Sequence, residues 1–260
     1  MKKILFSATL FFVFAACAQK SPIIYDKNAQ IRTLGNFNAI RVSSTIDLYL
    51  TQSSSNQVAV SASDEETRDQ IETFLEGNTL VVRLKSNNSW FKWKNWENKK
   101  VKAYVSIKDI NALTASGATT VHLVSKISAP KLNIKLSGAS DLKGDIESQN
   151  IQLNVSGASN YKGQLTANAF IFEASGASVV ELAGNVNDLS MNVSGASSVK
   201  MYNLIAKGAI VDASGASSVN IHVTELLKVH ATGASSINYK GAAVIKEMNN
   251  SGASTIKHRD

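Results

Sequence analysis

Residues 153–161 read Leu-Asn-Val-Ser-Gly-Ala-Ser-Asn-Tyr, and this stretch is one of eight variants of a single motif between residues 113 and 256. Its centre, Ser/Thr-Gly-Ala, is followed in every copy by Ser or Thr. The motif glycines are Gly117, Gly138, Gly157, Gly176, Gly195, Gly215, Gly233 and Gly252. Successive glycines are 18 to 21 residues apart, a period too short for helical-hairpin repeats or propeller blades. The sequence therefore predicts a repeat protein with one short unit per period of about nineteen residues.

Apolar and polar residues alternate on both sides of each glycine. The fourth residue before it is apolar in all copies: Leu113, Ile134, Leu153, Phe172, Met191, Val211, Val229 and Met248. The fourth residue after it is apolar or aromatic: Val121, Leu142, Tyr161, Val180, Val199, Val219, Ile237 and Ile256. The residues beside these positions are mostly polar, and such alternation is typical of strands with one buried face. Each repeat is therefore predicted to be one coil with at least two strands.

Stacked coils of this kind form a parallel β-helix. We predict an all-β, single-domain, right-handed parallel β-helix, or solenoid, because parallel crossover connections are almost always right-handed. Even offsets from the glycine are apolar on both sides, so the glycine is expected to face inward at a bend with no room for a Cβ. The second Ser/Thr of each motif is expected to face inward as well. The first Ser/Thr and the Ala would form a flat strip, which is either a docking surface or simply a tight corner.

Residues 31–110 also contain strand patterns, although they lack the motif. Strands are predicted at 37–42, 46–50, 58–60, 80–84 and 101–105. A helix is predicted over about 64–76, with Asp64 as N-cap and Ile71, Phe74 and Leu75 on its apolar side. We expect 31–110 to form irregular N-terminal coils, with the helix as an insertion or cap, and 111–260 to form the eight regular repeats. Residues 31–260 are thus predicted to be one domain.

The order of these features resembles a known family. A Phe37-x-x-Ile40-x-Val42 strand, an Ile-Asp-Leu-Tyr-Leu strand at 46–50, a short helix, a Leu-Val-Val strand at 80–82 and Ser-Gly-Ala-Ser repeats follow one another. This order is similar to the putative auto-transporter adhesin, head GIN domain family of Gram-negative bacteria. The resemblance covers about residues 31–260 and rests on element order and repeat character. It implies a β-helical fold on an exported protein, and it brings no functional residues with it.

The first residues match an export signal. Lys2 and Lys3 precede an apolar stretch at 4–16 that is too short to span a bilayer. In one interpretation, 1–16 is a lipoprotein signal peptide, Cys17 is the lipidated mature N-terminus, and 17–30 is a tether. The protein would then be an outer-membrane lipoprotein, facing the periplasm or the cell surface, attached to the membrane through its lipid anchor. In the other interpretation, cleavage before Gln19 yields a secreted or soluble periplasmic protein.

All three tryptophans lie in one short segment, Trp90-Phe91-Lys92-Trp93-Lys94-Asn95-Trp96. Exposed aromatic rings among lysines can stack on sugars or anchor a protein partner. The alternative is that these rings fold back and cap the apolar end of the solenoid. The sequence therefore gives a candidate binding loop made of Trp90, Phe91, Trp93, Lys94 and Trp96.

Catalytic and metal-binding patterns find little support. The histidines, at 122, 222, 230 and 258, lie at different offsets from the motif glycines and lack metal-ligand spacing. The repeated serines lack a Gly-x-Ser-x-Gly elbow, and the acidic residues do not share one column as a Ca²⁺-dependent lyase would require. We therefore expect no catalytic residue, no metal and no cofactor. The net charge of +7 is spread along the chain, which argues against nucleic-acid binding.

These features favour a non-enzymatic cell-envelope lipoprotein that acts as a surface binding or adhesion module for an unknown glycan or protein ligand. The first alternative is a structural envelope protein that self-associates through the strip. The second, less supported, is a polysaccharide-active enzyme on a β-helix, which would need an acidic cluster in a groove.

Overall fold

The computed structural model describes residues 26–85 and 100–260, and nearly all of its regular structure is β. The first part contains β1 Gln30–Arg32, β2 Ala39–Val42, β3 Ile46–Gln52, β4 Gln57–Ala62, α1 Glu65–Arg68, β5 Ile71–Glu76, β6 Thr79–Leu84 and β7 Val101–Ile107. The repeat region contains β8 Ala112–Ala115, β9 Thr120–Leu123, β10 Ile127–Leu136, β11 Asp141–Lys143, β12 Ile146–Val155, β13 Asn160–Ala174, β14 Val179–Val193, β15 Ser198–Ala213, β16 Ser218–Ala231, β17 Ser236–Lys240, β18 Val244–Asn250 and β19 Thr255–His258.

Every strand of the repeat region pairs in parallel with the equivalent strand of the next coil. The registers follow the motif, so that Tyr161 lies opposite Val180 and Val180 opposite Val199. All the described strands belong to one continuous sheet that winds around the solenoid. The predicted parallel β-solenoid is therefore confirmed.

The interior is filled by the predicted apolar columns. Tyr161, Phe170 and Phe172 are among the largest fully buried side chains, and the two phenylalanine rings stack at 5.8 Å between centroids. Each such side chain contributes about 1.5–3 kcal/mol through burial. The core is continuous from Phe37 to Tyr239, so each coil depends on its neighbours for its buried surface.

The tight corner of each coil is made by the motif glycine in the left-handed conformation. The eight glycines have φ values of +70° to +80°. The amide of the following alanine donates to the glycine carbonyl of the preceding coil in seven successive pairs, at 2.6–2.9 Å. A Cβ on any motif glycine would lie 2.9 Å or less from a backbone oxygen of the preceding coil. The corner thus needs glycine for both its conformation and its stacking.

The expectation that these glycines face inward is wrong. Each motif glycine and the alanine after it are exposed, whereas the second Ser/Thr is buried in all but the last copy. The left-handed conformation turns the chain at the glycine, so the glycine is exposed although the even-numbered positions on both sides of it are buried. The missing Cβ would point along the solenoid axis, towards the neighbouring coil, and not into the interior.

The buried hydroxyl column was predicted correctly. It consists of Thr119, Ser140, Ser159, Ser178, Ser197, Ser217 and Ser235. Four of them, Thr119, Ser140, Ser178 and Ser235, donate to the carbonyl three residues earlier at 2.7–2.9 Å. This hydrogen bond closes the corner locally and satisfies a buried hydroxyl.

Ser44 occupies the glycine position in the coil formed by β2 and β3. It has a φ of 81° and is the only non-glycine residue with positive φ among the described residues. Its carbonyl accepts the Ala118 amide at 2.8 Å, as a motif glycine would. The column of corners therefore begins one coil before the first recognisable motif.

The N-terminal coils do not stack in chain order. β2 and β3 lie between the β6–β7 coil on one side and the β8–β9 coil on the other. Beyond β6 and β7, β5 pairs antiparallel with β6, β4 antiparallel with β7, and β1 antiparallel with β4. This end of the solenoid is therefore closed mainly by antiparallel strands.

The prediction of a helix over 64–76 is wrong in its extent, because only Glu65–Arg68 is helical. Asp64 does cap it, accepting from the Thr67 amide at 2.8 Å. The residues assigned to its apolar side belong to β5, which forms a hairpin with β6 through Gly77 and Asn78. Gly77 has a φ of 58°, and Gly-Asn between two apolar runs is a hairpin signal. Pairing with β6 thus overrides the helical spacing of Ile71, Phe74 and Leu75.

Asp26 fixes the start of the described chain to the sheet. Its carboxylate accepts from Ser61 Oγ at 2.6 Å, Tyr104 OH at 2.9 Å and the Asn28 amide at 3.0 Å, and it lies 3.4 Å from Lys102 Nζ. Partial burial opposes ionisation, but these hydrogen bonds outweigh it and hold the pKa of Asp26 below its ordinary value. The segment that leads into β1 is therefore anchored by an ionised side chain.

We predict that Gly176→Ala lowers the stability by more than about 3 kcal/mol, because it combines backbone strain with a Cβ at 2.5 Å from the Gly157 carbonyl oxygen. Gly77→Ala, where φ is positive but nothing lies within 4 Å, should cost only about 1–2 kcal/mol. Gly208→Ala, with its nearest contact at 3.7 Å, should change stability by less than about 0.5 kcal/mol. Melting temperatures by circular dichroism measure all three, and an equal loss in Gly176→Ala and Gly77→Ala would rule out the stacking constraint.

We predict that Asp26→Asn lowers the melting temperature at neutral pH by about 2–4 °C. Loss of the charged hydrogen bonds should reduce the free energy of unfolding by about 1 kcal/mol, which corresponds to that shift in a chain of this size. Because the folded pKa is depressed, this stabilisation is present above the unfolded value of about 3.9 and is lost as pH falls through the folded value. The difference between wild type and variant should therefore shrink below about pH 4. Asp109→Asn, an exposed carboxylate, is the matched control, and a pH-independent difference would contradict the assignment.

Candidate functional site

The predicted binding loop, Trp90, Phe91, Trp93, Lys94 and Trp96, lies outside the described residues, but the strands on either side of it define where it enters and leaves the solenoid. Val82 in β6 is paired with Val42 in β2, and Val101 in β7 with Ile46 in β3. In the β2–β3 coil these two strand positions are joined by residues 43–45, at the tight corner. In the β6–β7 coil the equivalent positions, Val82 and Val101, are joined by residues 83–100. The Trp segment is therefore an insertion at the corner that the repeats keep tight.

The strip of small residues begins at the same corner. Its exposed members are the motif glycines and the alanines that follow them, from Gly117 and Ala118 onward. The backbone at each step is held by a hydrogen bond to the preceding coil. With a spacing of about 4.8 Å per coil, eight coils give a flat edge about 38 Å long. The insertion thus stands at one end of a rigid, uncharged edge.

A column of three rings follows this corner on the side of the sheet that faces away from the core, with Tyr104 buried and Tyr49 and His122 half-buried. Tyr49 in β3 stacks on Tyr104 of β7 at 5.2 Å and on His122 of β9 at 4.8 Å between ring centroids. Sequence reasoning missed this group, because the residues are far apart in the chain and β3 lies between β7 and β9 only in the folded stack. The column stiffens the sheet face that leads away from the insertion.

The column of Lys143, Lys162, Glu181 and Lys200 continues the same outer face. Lys162 Nζ lies 2.8 Å from Glu181 Oε1, and both side chains are largely exposed. Exposed pairs of this kind contribute little to stability. These residues form a solvated face, as the sequence indicated.

The four histidines do not converge. His122 stacks in the aromatic column, and His258 lies 5.0 Å from the Tyr239 ring. His230 Nδ1 is 2.7 Å from Asp212 Oδ1, and its Nε2 is 3.1 Å from Glu247 Oε1, in a contact that is not aligned as a hydrogen bond. Asp212, and then Glu247, raise the pKa of His230 above its ordinary value. His230 thus ties β18 to the two preceding coils.

Within 26–85 and 100–260, no three His, Cys, Asp or Glu side chains are placed to hold a metal ion. Cys17, the predicted lipidation site, falls outside these ranges. No helix in the same ranges has the length and apolar character needed to cross a bilayer.

Solved structures with the same fold come from several bacteria. The chain aligns with "a putative adhesin" from Parabacteroides merdae ATCC 43184 at a TM-score of 0.80 and 21% identity, over 89% of this chain and 95% of that chain. A "putative adhesin" from Parabacteroides distasonis ATCC 8503 gives 0.77 and 18%, over 89% and 96%. A "putative lipid binding protein" from the same organism gives 0.75 and 19%, over 90% and 98%. At these identities the likeness shows the fold alone.

At the level of sequence, no protein of curated function shows significant similarity to this chain. One family model matches residues 36–243, which is most of the chain and includes the N-terminal coils and seven of the eight motif glycines. The match agrees with the element order from Phe37 onward and with the Ser-Gly-Ala-Ser repeats. The chain therefore belongs to the family described as "Putative auto-transporter adhesin, head GIN domain".

Proposed function

We propose that this protein is a non-enzymatic binding module of the bacterial cell envelope, and that it contacts a glycan or protein ligand through the Trp segment at 90–96. The observation that carries the proposal is the position of this segment. In the β6–β7 coil, a long connection between Leu84 and Val101 stands where the other described coils have a tight corner. Loops on a rigid scaffold are where proteins most often place their binding residues.

The supporting scaffold is stiff on each side of the insertion. β6 pairs with β2 and β5, and β7 pairs with β3 and β4. Ligand contacts made by a loop so anchored require little ordering of the rest of the protein, which favours affinity. Aromatic rings add large contact area with few rotatable bonds. Membership of an adhesin-type family is consistent with such a role.

The same proposal includes export and attachment to the outer membrane through lipidated Cys17. The tether was predicted over 17–30, but Asp26 is held against the sheet and Gln30 lies in β1, so only the part before Asp26 would serve as a tether, leaving from the N-terminal end of the solenoid. The repeats would then extend away from the membrane. Metabolic labelling with a palmitate analogue tests this step, with Cys17→Ser as the unlabelled control.

We predict that replacing Trp90, Trp93 and Trp96 together by Ala reduces ligand affinity about tenfold or more, because interface tryptophans often dominate binding energy. The measurement is a glycan and matrix-protein array with the chain from residue 19 onward, followed by titration of any hit. Tyr202→Ala, a partly exposed aromatic in β15, is the matched control.

Melting temperatures of wild type and triple variant should agree. Affinity retained by the folded triple variant would exclude the Trp segment as the site. Early melting of the variant would instead favour the alternative in which the rings cap the solenoid.

Self-association is a second candidate function, favoured by the last coil. All seven residues of β18 are exposed, including Val244 at 57%, Ile245 at 40% and Met248 at 44%. By register, Ile245 and Met248 continue the interior columns of Leu227 and Val229. Exposed strand edges with apolar side chains are templates for pairing with another chain.

We predict that, if this end mediates self-association, light scattering detects a dimer whose population rises with protein concentration. The double variant Ile245→Glu with Met248→Glu should remain monomeric, because charges on a strand edge oppose pairing. Ile171→Glu, an equally exposed isoleucine in β13, should dimerise like wild type. A monomer at every concentration would eliminate this alternative.

A further inference from the structure

A groove crosses the N-terminal end of the solenoid. Its volume is about 770 Å³, and it runs between two extended stretches of chain, residues 31–34 on one side and residues 71–74 of β5 on the other. Arg83, in β6, and Lys85, the residue that follows β6, also line the groove. Four consecutive residues on each side give the groove the length of a short extended strand.

The β5 wall presents an unpaired strand edge. Within the described residues, β5 pairs with β6 on one side and with no strand on the other. The opposite wall continues from β1, which pairs with β4 alone. The N–H and C=O groups along the free edge of β5 can therefore pair with an added strand.

Both walls are held in place. Asp26 anchors the chain that enters the first wall, and Arg68 Nη1 donates to the Asn28 carbonyl at 3.3 Å. On the second wall, the Lys85 amide donates to the Gln70 carbonyl at 2.8 Å, which closes the β5–β6 hairpin. A groove with fixed walls can accept a ligand without ordering its own backbone first.

The groove combines apolar surface with three cationic side chains, Arg32, Arg83 and Lys85, and two acidic ones, Asp69 and Glu72, so its lining carries a small positive excess. Ile31 is 68% exposed, and the Arg83 guanidinium lies 5.0 Å above the Phe74 ring while its Nε donates to Glu72 at 2.8 Å. Arg83 is thus already paired and fixed. Two further cations, Arg32 and Lys85, make no side-chain hydrogen bond or ion pair with any described residue.

Arg32 is the more informative of the two. Its Nε is buried and has no hydrogen-bond partner among the described residues. Buried donors are nearly always satisfied, and an unsatisfied one carries an energetic penalty. Because Nε is sealed from solvent in the free protein, a ligand acceptor would satisfy it only after the Arg32 side chain turns towards the groove that it lines.

We propose that this groove binds an extended acidic peptide segment, which adds as a strand to the free edge of β5 and places carboxylates near Arg32 and Lys85. Backbone pairing supplies the register, the apolar surface around Ile31 and Phe74 takes the β-branched side chains, and the two cations select for negative charge. The site as we propose it includes none of residues 86–99, and its ligand is a protein strand and not a glycan.

The test uses fluorescence polarisation with the whole chain and a panel of labelled seven-residue peptides that alternate Val, Ile or Thr with Glu. At least one peptide of the panel should bind, and the affinity should fall with rising salt because the selecting charges are partly exposed. The same peptide with Lys in place of Glu, or with N-methylated backbone amides, should bind about tenfold more weakly or worse.

Lys85→Gln and Arg32→Gln should each weaken the binding of the Glu peptide, and the double variant should lose about tenfold or more. Lys200→Gln, on the distant outer face, is the matched control and should bind like wild type. If Arg32→Gln lowers the melting temperature, the exposed Lys85 decides the question alone.

Absence of binding by the whole Glu panel, equal affinity for the Lys or N-methylated peptide, or an unchanged Lys85→Gln variant would each overturn the proposal. The Trp90, Trp93 and Trp96 triple variant should keep its peptide affinity. This separates failure of the groove from failure of the proposed glycan or matrix binding.

Discussion

The structure depends on one contact repeated along its length, in which the alanine amide of one corner donates to the glycine carbonyl of the corner before it. This contact requires a left-handed residue at each corner, and it leaves no space for a Cβ between coils. Each corner therefore fixes the position of the next, and the strands on either side follow in register. The interior apolar columns and the buried hydroxyl column are consequences of that register, because equivalent residues are brought directly above one another.

The protein differs from a plain solenoid at its N-terminal coils, where the repeated glycine corner changes. At the β2–β3 coil, Ser44 takes the left-handed position, and at the next coil outward the corner is replaced by residues 85–100. The antiparallel strands β1, β4 and β5 then close this end. The groove and two of the three rings of the aromatic column, Tyr49 and Tyr104, lie in these N-terminal coils. The repeat region presents small, polar and mixed-charge surfaces together with exposed apolar side chains such as Ile171, Ile210 and Leu226.

Two surfaces at the N-terminal end differ in the ligands they suit. For the Trp segment at 90–96 we propose a glycan or protein ligand, because aromatic rings can stack on sugars and add large contact area. The groove offers the free edge of β5 and two cations that pair with no residue of 26–85 or 100–260, which is why we propose an extended acidic chain as its ligand. Both are supported by the same paired strands, β6 and β7 with their neighbours, so neither requires the repeats to move.

The sequence by itself determined the repeat, the in-and-out alternation of the strands and the buried hydroxyl column. These features follow from local periodicity, and the same pattern recurs in each of the eight copies. It also indicated the family and the position of the Trp segment. Only the tertiary structure decided that the motif glycines are exposed, that β5 is a strand and not part of a helix, and that β3 lies between β7 and β9. The physical reason is that these features depend on contacts between residues distant in the chain: a Cβ clash with the preceding coil, pairing of β5 with β6, and a stacking order that differs from chain order. The groove also could not be predicted from the sequence, because its two walls and its cations come from separate segments that meet only after folding.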